Sequence, residues 1–414
     1  MERRGVSVDM EQLKSMERVL ETKMKAAEQE CHKAAGKQFQ VNSPLQVRAL
    51  LYDELKLDEK CNVKISATLS KGAKSTSEAT LRSLMSVHPL PKWILEYRRL
   101  HKAHATFLTG IAQHVKDGVV KPTWVQTAAA TGRIASNNPN LQAIPKAPFN
   151  VIMFPESEDV DNPLLNFRSV YTARAGHALL AADFRHVECR VFAHAAADSA
   201  LLAALASDQD LFKVLAAKWL NKPEAAVSSA DRERTKRIVY ASLYGAGARK
   251  LMEILDVSYD QSLAITASFN RTFPSLRSFG QRVVAQARNE GGRLRSLGGR
   301  ARHLSGLASA DPAARAHAER QAVNFIVQGS AADLCKMAMV ATSARLGGAA
   351  HLLLQIHDEL VWEVHEDDLE RAAAIVKEVM EGCGRACGLP SLPVNVAAGR
   401  SWGTLLPVGL SQQA

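Results

Sequence analysis

Long amphipathic stretches with short polar breaks occupy most of the chain. Apolar residues recur at helical spacing across residues 9–36, with Asp9 as a suitable N-cap and Gly36 as a stop signal. The same spacing predicts further helical regions at 44–60, 78–117, 199–290 and 312–347. Apolar runs at 176–183 and 351–364 are instead typical of buried strands. We therefore predict an α+β fold rather than an alternating doubly wound sheet.

Three polar segments interrupt these elements. The run LSKGAKSTSEAT at 69–80 is basic and rich in Ser and Thr, and it predicts a loop ending in a helix cap at Thr76 or Ser77. The run PESEDVDNPLLN at 155–166 predicts an inserted surface loop before a strand. The run RLRSLGGRARHL at 293–304 is a basic segment broken by glycines.

Length and charge narrow the classes of protein. A chain of 414 residues predicts two or three domains. Lys and Arg number 52 against 42 Asp and Glu, which gives a formal charge of +10. This excess favours a polyanionic partner, because neutralised phosphates release counterions. A basic protein without such a partner is an equally open interpretation of charge alone.

Cysteine usage and hydropathy argue against several other classes. The six cysteines form no CxxC pair, so we expect neither a disulfide framework nor a zinc site. Cys383 and Cys387 share a helical spacing, but two thiols are the simpler interpretation. No apolar run approaches 18 residues and no signal peptide opens the chain, so we expect a soluble, intracellular protein without a membrane partner. We also expect the chain to be a fragment of a longer protein.

Two aspartates stand at the ends of predicted strands. Asp183 ends the apolar run GHALLAADF, and Asp358 lies in LLLQIHDELVWEV, a pattern typical of a hairpin with acids at its tip. Brought together, these carboxylates could hold two Mg²⁺ ions about 3.5–4 Å apart. Glu359 is a weaker ligand candidate, since neighbouring strand residues face opposite sides. A helix cap or a surface acid remains the ordinary alternative for each.

A helix predicted over 231–250 carries four functional groups at intervals of four residues. Arg232, Lys236, Tyr240 and Tyr244 therefore share one helical stripe. The two cations suit a triphosphate and the two rings suit a base and a sugar. A solvated basic helix with two half-buried tyrosines is the alternative.

A second stripe, at the same spacing, combines an arginine with two amides. Arg320, Asn324 and Gln328 suit hydrogen bonds to the degenerate acceptors of a DNA minor groove. By spacing alone, caps and interhelix hydrogen bonds explain these residues as well.

Five long motifs carry a resemblance to a known family. The chain resembles family A DNA polymerases at TGRIASNNPNLQAIP (131–145), LAADFRHVECR (180–190), RERTKRIVYASLYGAG (232–247), AERQAVNFIVQGSAADLCK (318–336) and QIHDELVWEV (355–364). The motifs occur in the family's order and the resemblance spans nearly the whole chain.

The resemblance implies a right-hand fold with helical thumb and fingers around an antiparallel palm sheet. It places the thumb at 1–130, with the chain start near the palm, the fingers at 199–310, and the palm at 131–198 and 311–414. It also implies primer-template DNA and deoxynucleoside triphosphates as partners, two Mg²⁺ ions as cofactors, and a monomer.

The resemblance further implies individual roles. Catalysis is expected from Asp183, Asp358, Lys236 and Glu359, of which Asp183 and Asp358 bind metal. Nucleotide binding is expected from Arg232, Lys236, Tyr240, Tyr244, Glu188 and Phe212, with Glu188 as the steric gate against a ribose 2′-hydroxyl. Contacts to DNA are expected from Arg133, Asn140, Gln142, Arg320, Asn324, Gln328 and His357.

Within the family the resemblance is closest to the eukaryotic theta and nu polymerases, and to nu above all. Phe212 replaces a triphosphate-contacting histidine of bacterial members, and Tyr240 replaces a phenylalanine common in them. Arg237 adds a cation after the catalytic lysine, which predicts low fidelity. Arg185 and His186 replace the family's usual small-polar residue and glutamine, which puts local primer contacts in doubt.

We therefore expect a DNA polymerase of repair or translesion synthesis. The motifs begin near the thumb, which leaves no room for a proofreading exonuclease, and no helicase activity is expected. A nuclear location follows from the resemblance alone. A catalytically inactive primer-template binding protein is the main alternative, which the intact acidic and basic residues disfavour. An RNA polymerase or reverse transcriptase is disfavoured by Glu188 and the fingers motif.

Overall fold

The computed structural model describes residues 1–61, 73–152, 164–207 and 209–409, which fall into two compact units. Unit 1 comprises 1–123, 137–179 and 399–405, and unit 2 comprises 124–136, 180–398 and 406–414. The predicted loops at 69–80 and 155–166 lie partly outside the described residues. Within the described part, Ser77 caps a helix as predicted, since its side chain accepts a hydrogen bond from the Thr80 amide.

Unit 1 is built mainly from helices. They are α1 (Met10–Ala35), α2 (Pro44–Arg48), α3 (Leu57–Cys61), α4 (Glu78–Leu84), α5 (Leu90–Ala103) and α6 (Gly110–Ala112), with π-helical segments at Ala49–Glu54 and His104–Thr109. Its short strands are β1 (Val6–Val8), β2 (Val115–Lys116), β3 (Val119–Val120), β6 (Phe149–Asn150), β7 (Leu164–Leu165) and β8 (Tyr171–Thr172). A small sheet has the order β2-β3-β1-β8, and β6 pairs with β7.

The first helix follows its sequence signals. Asp9 accepts hydrogen bonds from the amides of Glu11 and Gln12, at 3.1 and 2.9 Å, as an N-cap does. Gly36 has a φ of +70° and donates its amide to the Lys33 carbonyl, as at many helix ends. The helix predicted over 9–36 is therefore confirmed. It packs its apolar face against α5.

The helix predicted over 78–117 is wrong as a continuous element. Pro89 and Pro91 allow a new helix to begin at Leu90, because proline has no amide to donate inside a helix. The end of α5 passes into a π-helical segment that starts at His104. There the His104 Nε2 atom lies 3.6 Å from the Glu17 carboxylate on α1.

Unit 2 contains the longer elements. Its helices are α7 (Val187–Ala196), α8 (Ser199–Ala206), α9 (Leu211–Leu220), α10 (Ser229–Leu243), α11 (Ala248–Leu255), α12 (Tyr259–Thr272), α13 (Pro274–Asn289), α14 (Pro312–Asn324), α15 (Ser330–Leu346) and α16 (Leu369–Gly382). Its strands are β4 (Thr123–Val125), β5 (Ala135–Asn137), β9 (His177–Phe184), β10 (Arg293–Arg295), β11 (Ala301–His303), β12 (Ala350–Ile356), β13 (Glu359–His365), β14 (Val394–Gly399) and β15 (Leu406–Pro407).

A five-stranded sheet organises unit 2, in the order β12-β13-β9-β14-β15. Both predicted strand regions therefore belong to one sheet, with β9 at its centre. The apolar residues of β9 are buried, as an interior strand requires. The strands β12 and β13 form the predicted hairpin, with Ile356 opposite Glu359 across a two-residue turn.

Two predictions for unit 2 need correction. The helix predicted over 312–347 is divided by a π-helical segment, Phe325–Gly329, between α14 and α15. The basic segment at 293–304 is a hairpin of β10 and β11 rather than an irregular break. Its glycines Gly298 and Gly299 lie in the connecting turn, where Gly299 has a φ of +87°.

Helices around an antiparallel sheet confirm the α+β fold class. The finer division into thumb, palm and fingers stays a prediction. Its palm segment 131–198 is divided between the two units at residues 179 and 180. None of the helices in the described residues has the length and apolar character needed to cross a membrane.

Candidate active site

The end of the central strand meets the tip of the hairpin. The amide of Phe184 donates a hydrogen bond of 3.3 Å to the carbonyl oxygen of Asp358. Asp183 precedes Phe184 on β9, so the two predicted metal ligands lie on directly bonded pieces of backbone. Both side chains are half-buried. The structure thus brings together two acids that lie far apart in the sequence.

The hairpin turn has an unusual backbone and a dedicated support. His357 has a φ of +56°, a conformation that L-residues adopt at a cost. The buried side chain of Gln355 donates its amide to the His357 carbonyl. This bond holds the turn that presents Asp358, while the His357 side chain is exposed.

Burial and nearby acids disfavour the charged form of Asp358. Its pKa rises from 3.8 to about 7, first because of burial, then because of the Glu188 and Asp183 carboxylates, with Arg133 acting in the opposite direction. Cys335 lies beneath these acids, and its pKa is raised by burial and by Asp358. Two carboxylates that repel each other in a partly buried site are well matched to a bound cation.

The residues present fit Mg²⁺. This ion prefers carboxylate oxygens and retains coordination positions for water and phosphate, so two aspartates suffice as its protein ligands. Asp183 and Asp358 are the residues that would hold it.

Glu188 joins three separate elements. It lies in the first turn of α7, is 4% exposed, and accepts hydrogen bonds from Arg133 and from the Tyr244 hydroxyl. Tyr244 also forms a side-chain hydrogen bond with Gln328, and burial together with Glu188 raises the pKa of its phenol. The carboxylate is thus fixed from both sides and faces the same acidic region as Asp358.

The helix α10 carries the predicted cationic stripe. It begins at a capping box between Ser228 and Asp231, which fixes its N-terminal end. Arg232 pairs with Asp210 at 2.9 Å. The ammonium group of Lys236 lies 6.0 Å from the centre of the Phe212 ring. The structure therefore places both cations on one side of the helix, as the spacing predicted.

Phe212 supports this stripe from below. Its side chain is fully buried and lies between His186, at a ring distance of 5.1 Å, and Tyr240, at 5.8 Å. Arg232 lies over the same ring. In this structure Phe212 therefore packs beneath the cations. Its predicted contact with a nucleotide stays a prediction.

Tyr240 lies between Phe212 and Tyr244. It is half-buried, its ring is 6.2 Å from that of Tyr244, and its hydroxyl forms a hydrogen bond with Cys189. Burial, followed by the charges of Cys189 and Glu188, raises the pKa of Tyr240, so the phenol stays protonated. It can donate a hydrogen bond at any working pH.

The second predicted stripe is altered by the π-helical segment. Arg320 and Asn324 lie on α14, whereas Gln328 lies in Phe325–Gly329, where i→i+5 bonding adds a residue to the turn. The Gln328 side chain therefore does not point in the direction that an uninterrupted α-helix would give it. It forms a hydrogen bond with Tyr244 instead. The Oδ1 atom of Asn324 is buried and has no hydrogen-bond partner among the described residues.

The structure also gives the local surroundings of three other predicted residues. Asn140 and Gln142 belong to unit 1, where the Asn140 side chain accepts the Gln142 amide at 3.0 Å at the start of a 3₁₀ turn. Glu359 is buried as the first residue of β13. Since neighbouring strand residues face opposite sides, its catalytic role stays a prediction.

Sequence reasoning missed several supporting residues. Gln355 supports the turn that carries Asp358, and Arg300, which pairs with Asp333, lies against Gly132, the residue before Arg133. Asp333 gave the clearest available signal, because it is a lone carboxylate in the apolar run SAADLC. A buried charge requires a partner.

The sequence of this chain is similar to a known protein family and to known proteins. A family model described as DNA polymerase family A matches residues 10–404. The chain is 37% identical over 406 residues to "DNA polymerase I, thermostable" of Thermus filiformis, covering 97% of this chain and 46% of that protein. It is 34% identical over 408 residues to DNA polymerase I of Pseudomonas aeruginosa, covering 97% and 42%.

A solved structure is similar along nearly the whole chain. It is described as the POL domain of Pol1 from M. smegmatis in complex with DNA primer-template and dNTP. The TM-score is 0.83 at 31% identity, covering 96% of this chain and 67% of that one.

The chain belongs to DNA polymerase family A. Its fold is that of a polymerase domain of the Pol1 type. The chain spans less than half the length of the two DNA polymerase I relatives named above.

Proposed function

We propose that this chain is the catalytic core of a template-directed DNA polymerase, which adds deoxynucleotides to a primer 3′ end by two-metal phosphoryl transfer. The observation that carries the proposal is the backbone bond between Phe184 and Asp358, which brings the carboxylates of Asp183 and Asp358 to one place. Family membership and similarity to a polymerase bound to primer-template support it.

The proposed roles follow from the chemistry of each side chain. Arg232 and Lys236 bind the triphosphate, and Lys236 is placed to protonate the leaving pyrophosphate. Glu188 is assigned the role of steric gate, which excludes a ribose 2′-hydroxyl. When bound by Asp183 and Asp358, Mg²⁺ lowers the pKa of the primer 3′-hydroxyl and neutralises charge on the leaving group.

Arg232 must release its carboxylate partners before it can bind a phosphate. It pairs with Asp210 and also contacts Glu233. Binding a triphosphate therefore exchanges carboxylate partners for phosphate oxygens. Because bidentate arginine–phosphate pairs are strong, this exchange is feasible, and it opposes binding of weaker anions.

Several finer features belong to the proposal on the strength of sequence alone. They are the affiliation with theta and nu polymerases, a role in repair or translesion synthesis, a monomeric state and a nuclear location. The relatives named above are bacterial, so they lend no support to the eukaryotic affiliation or to the nuclear location.

Primer extension tests the proposal. The wild-type chain should extend a labelled primer on a template with four deoxynucleotides and Mg²⁺, whereas Asp358→Ala should bind the same DNA without extending it. Omission of Mg²⁺ should also abolish extension. Salt-sensitive DNA binding without extension by the wild type would favour the inactive binding protein. Preferential use of ribonucleotides would favour an RNA polymerase instead.

A further inference from the structure

An ion pair between the half-buried Arg300 and the buried Asp333 lies outside the roles assigned above. Asp333, in the first turn of α15, is 8% exposed. It accepts a hydrogen bond of 2.8 Å from Nε of Arg300 and pairs with the Nη2 atom at 2.7 Å. Arg300 lies in the turn between β10 and β11. Removal of Arg300 would leave the buried Asp333 carboxylate without its compensating charge.

Serine hydroxyls complete the surroundings of this pair. Ser296 donates to the second oxygen of Asp333 at 2.6 Å and accepts the Arg300 amide at 2.9 Å. Ser330 accepts the amide of Leu297 at 2.9 Å. The turn is thus bonded to the start of α15, and the guanidinium of Arg300 is held against the Asp333 carboxylate.

That guanidinium lies directly against Gly132. A Cβ atom at position 132 would lie 2.5 Å from the guanidinium carbon of Arg300, and Gly132 has a φ of +77°. Position 132 therefore requires glycine for two reasons, its backbone conformation and this close approach. The Gly132 amide closes a turn onto the Ala129 carbonyl at 2.9 Å.

The residue after this glycine contacts the steric gate. The guanidinium of Arg133 pairs with Glu188, which the Tyr244 hydroxyl holds from the other side. A continuous chain of contacts therefore runs from Asp333 through Arg300, Gly132 and Arg133 to the carboxylate of Glu188. Every member belongs to unit 2.

We propose that Asp333 and Arg300 are positioning residues for sugar selection, which fix the Gly132 turn so that Arg133 holds the Glu188 carboxylate in place. The inference rests on the proposed polymerase function. A rigid Glu188 carboxylate excludes a 2′-hydroxyl better than a mobile one does. A mobile carboxylate can rotate aside at a low cost in free energy and so leave room for the hydroxyl. Arg300 and Asp333 touch no nucleotide in this scheme.

A double-mutant cycle on single-nucleotide insertion tests the inference. The quantity measured is the ratio of kcat/KM for a deoxynucleotide to kcat/KM for the matching ribonucleotide. Gly132→Ala, Arg300→Lys and Asp333→Asn should each lower this ratio about tenfold, the size expected for residues coupled by contact. In an Arg133→Ala background the same changes should alter the ratio by less than about twofold.

Arg293→Lys supplies the matched control. Arg293 is an exposed arginine on the same hairpin, and its replacement should leave the ratio unchanged. Thermal unfolding of each variant identifies any that is unfolded at the assay temperature. Arg300→Lys keeps the charge opposite Asp333, so it reports on geometry if Gly132→Ala does not fold.

The experiment distinguishes failure of this inference from failure of the proposed function. Equal losses with and without Arg133, or an unchanged sugar ratio with only kcat reduced, would show that the ion pair is structural and would overturn the inference. Failure of the wild type to extend a primer at all would instead refute the proposed function. The positioning role is supported if each single variant lowers the deoxynucleotide-to-ribonucleotide ratio and the same changes no longer alter that ratio in the Arg133→Ala background.

Discussion

The amide of Phe184 donates to the carbonyl oxygen of Asp358 at 3.3 Å, which joins the central strand of the sheet to the turn of the neighbouring hairpin. Through this bond the structure places two carboxylates together, and the pKa of Asp358 rises to about 7 mainly because of burial. The metal-free protein therefore holds a carboxylate that resists ionisation. This has consequences for its stability.

We predict that Asp358→Asn stabilises the metal-free protein above neutral pH while abolishing extension. The folded-state pKa of Asp358 is raised above 3.8, so ionisation is disfavoured in the folded state. Below about pH 4 the Asp358 carboxyl is protonated in both states and does not lower the free energy of unfolding. As the pH rises from 4 through 7, its ionisation in the unfolded state lowers the free energy of unfolding. The loss is at most about 4 kcal/mol.

Thermal unfolding in EDTA between pH 4 and pH 8 measures the effect. The Tm of Asp358→Asn should exceed that of the wild type by a margin that grows up to pH 7 and then levels off. Added Mg²⁺ should raise the wild-type Tm at pH 8 and have less effect on the variant. A Tm difference independent of pH would contradict this.

We predict that Asp210→Asn lowers the KM for deoxynucleotides several-fold. Asp210 competes for Arg232 at 2.9 Å, and the bond from Arg232 helps to keep the pKa of the Asp210 carboxyl below its usual value despite burial. An asparagine keeps the side-chain oxygen that caps α9 but removes the charge. Steady-state insertion kinetics measure the change.

The same substitution combined with Arg232→Ala provides the control. If Asp210 acts by competing for Arg232, Asp210→Asn should have no effect once that arginine is absent. An equal fall in KM in both backgrounds would point to general electrostatics instead.

We predict that Tyr240→Phe reduces the use of dideoxynucleotides relative to deoxynucleotides. The Tyr240 phenol stays protonated because burial raises its pKa, so its hydroxyl can stand in for the missing sugar 3′-hydroxyl. A terminator-incorporation assay gives the ratio. Dideoxynucleotide use that is undiminished in the variant would rule this role out.

We predict that Arg237→Ala reduces misinsertion. Arg237 is exposed on α10, one residue after Lys236, where a second cation can bind the phosphates of a mispaired nucleotide without regard to the base. Arg234→Ala removes an equally exposed charge from the same helix and serves as the control. The error spectrum of gap-filling synthesis should change in the first variant only.

The local pattern of the sequence was sufficient for several elements and for the order of side chains along them. Asp9 and Gly36 delimit the first helix because capping and left-handed termination depend on neighbours in the chain. Spacing by four placed Arg232, Lys236 and Tyr240 on one side of α10 for the same reason. The strand that leads to Asp183 and the hairpin that carries Asp358 were also predictable from their apolar runs.

Local pattern failed where the backbone departs from regular periodicity. The π-helical segment Phe325–Gly329 rotates Gln328 toward Tyr244, and nothing in the 3.6-residue period signals the extra residue. The segment at 293–304 also contains glycines that a sequence pattern assigns to a break, whereas they form the turn of a hairpin.

The sequence by itself determined the first helix, the two principal strand regions, the charged stripe on α10 and the positions of Asp183 and Asp358 along the chain. Only the tertiary structure decided that Asp183 and Asp358 share one site, and that Glu188 is held by both Arg133 and Tyr244. The physical reason is that helix and strand signals are local. Burial, ion pairing and the shift in the Asp358 pKa depend on groups that meet only when distant segments pack.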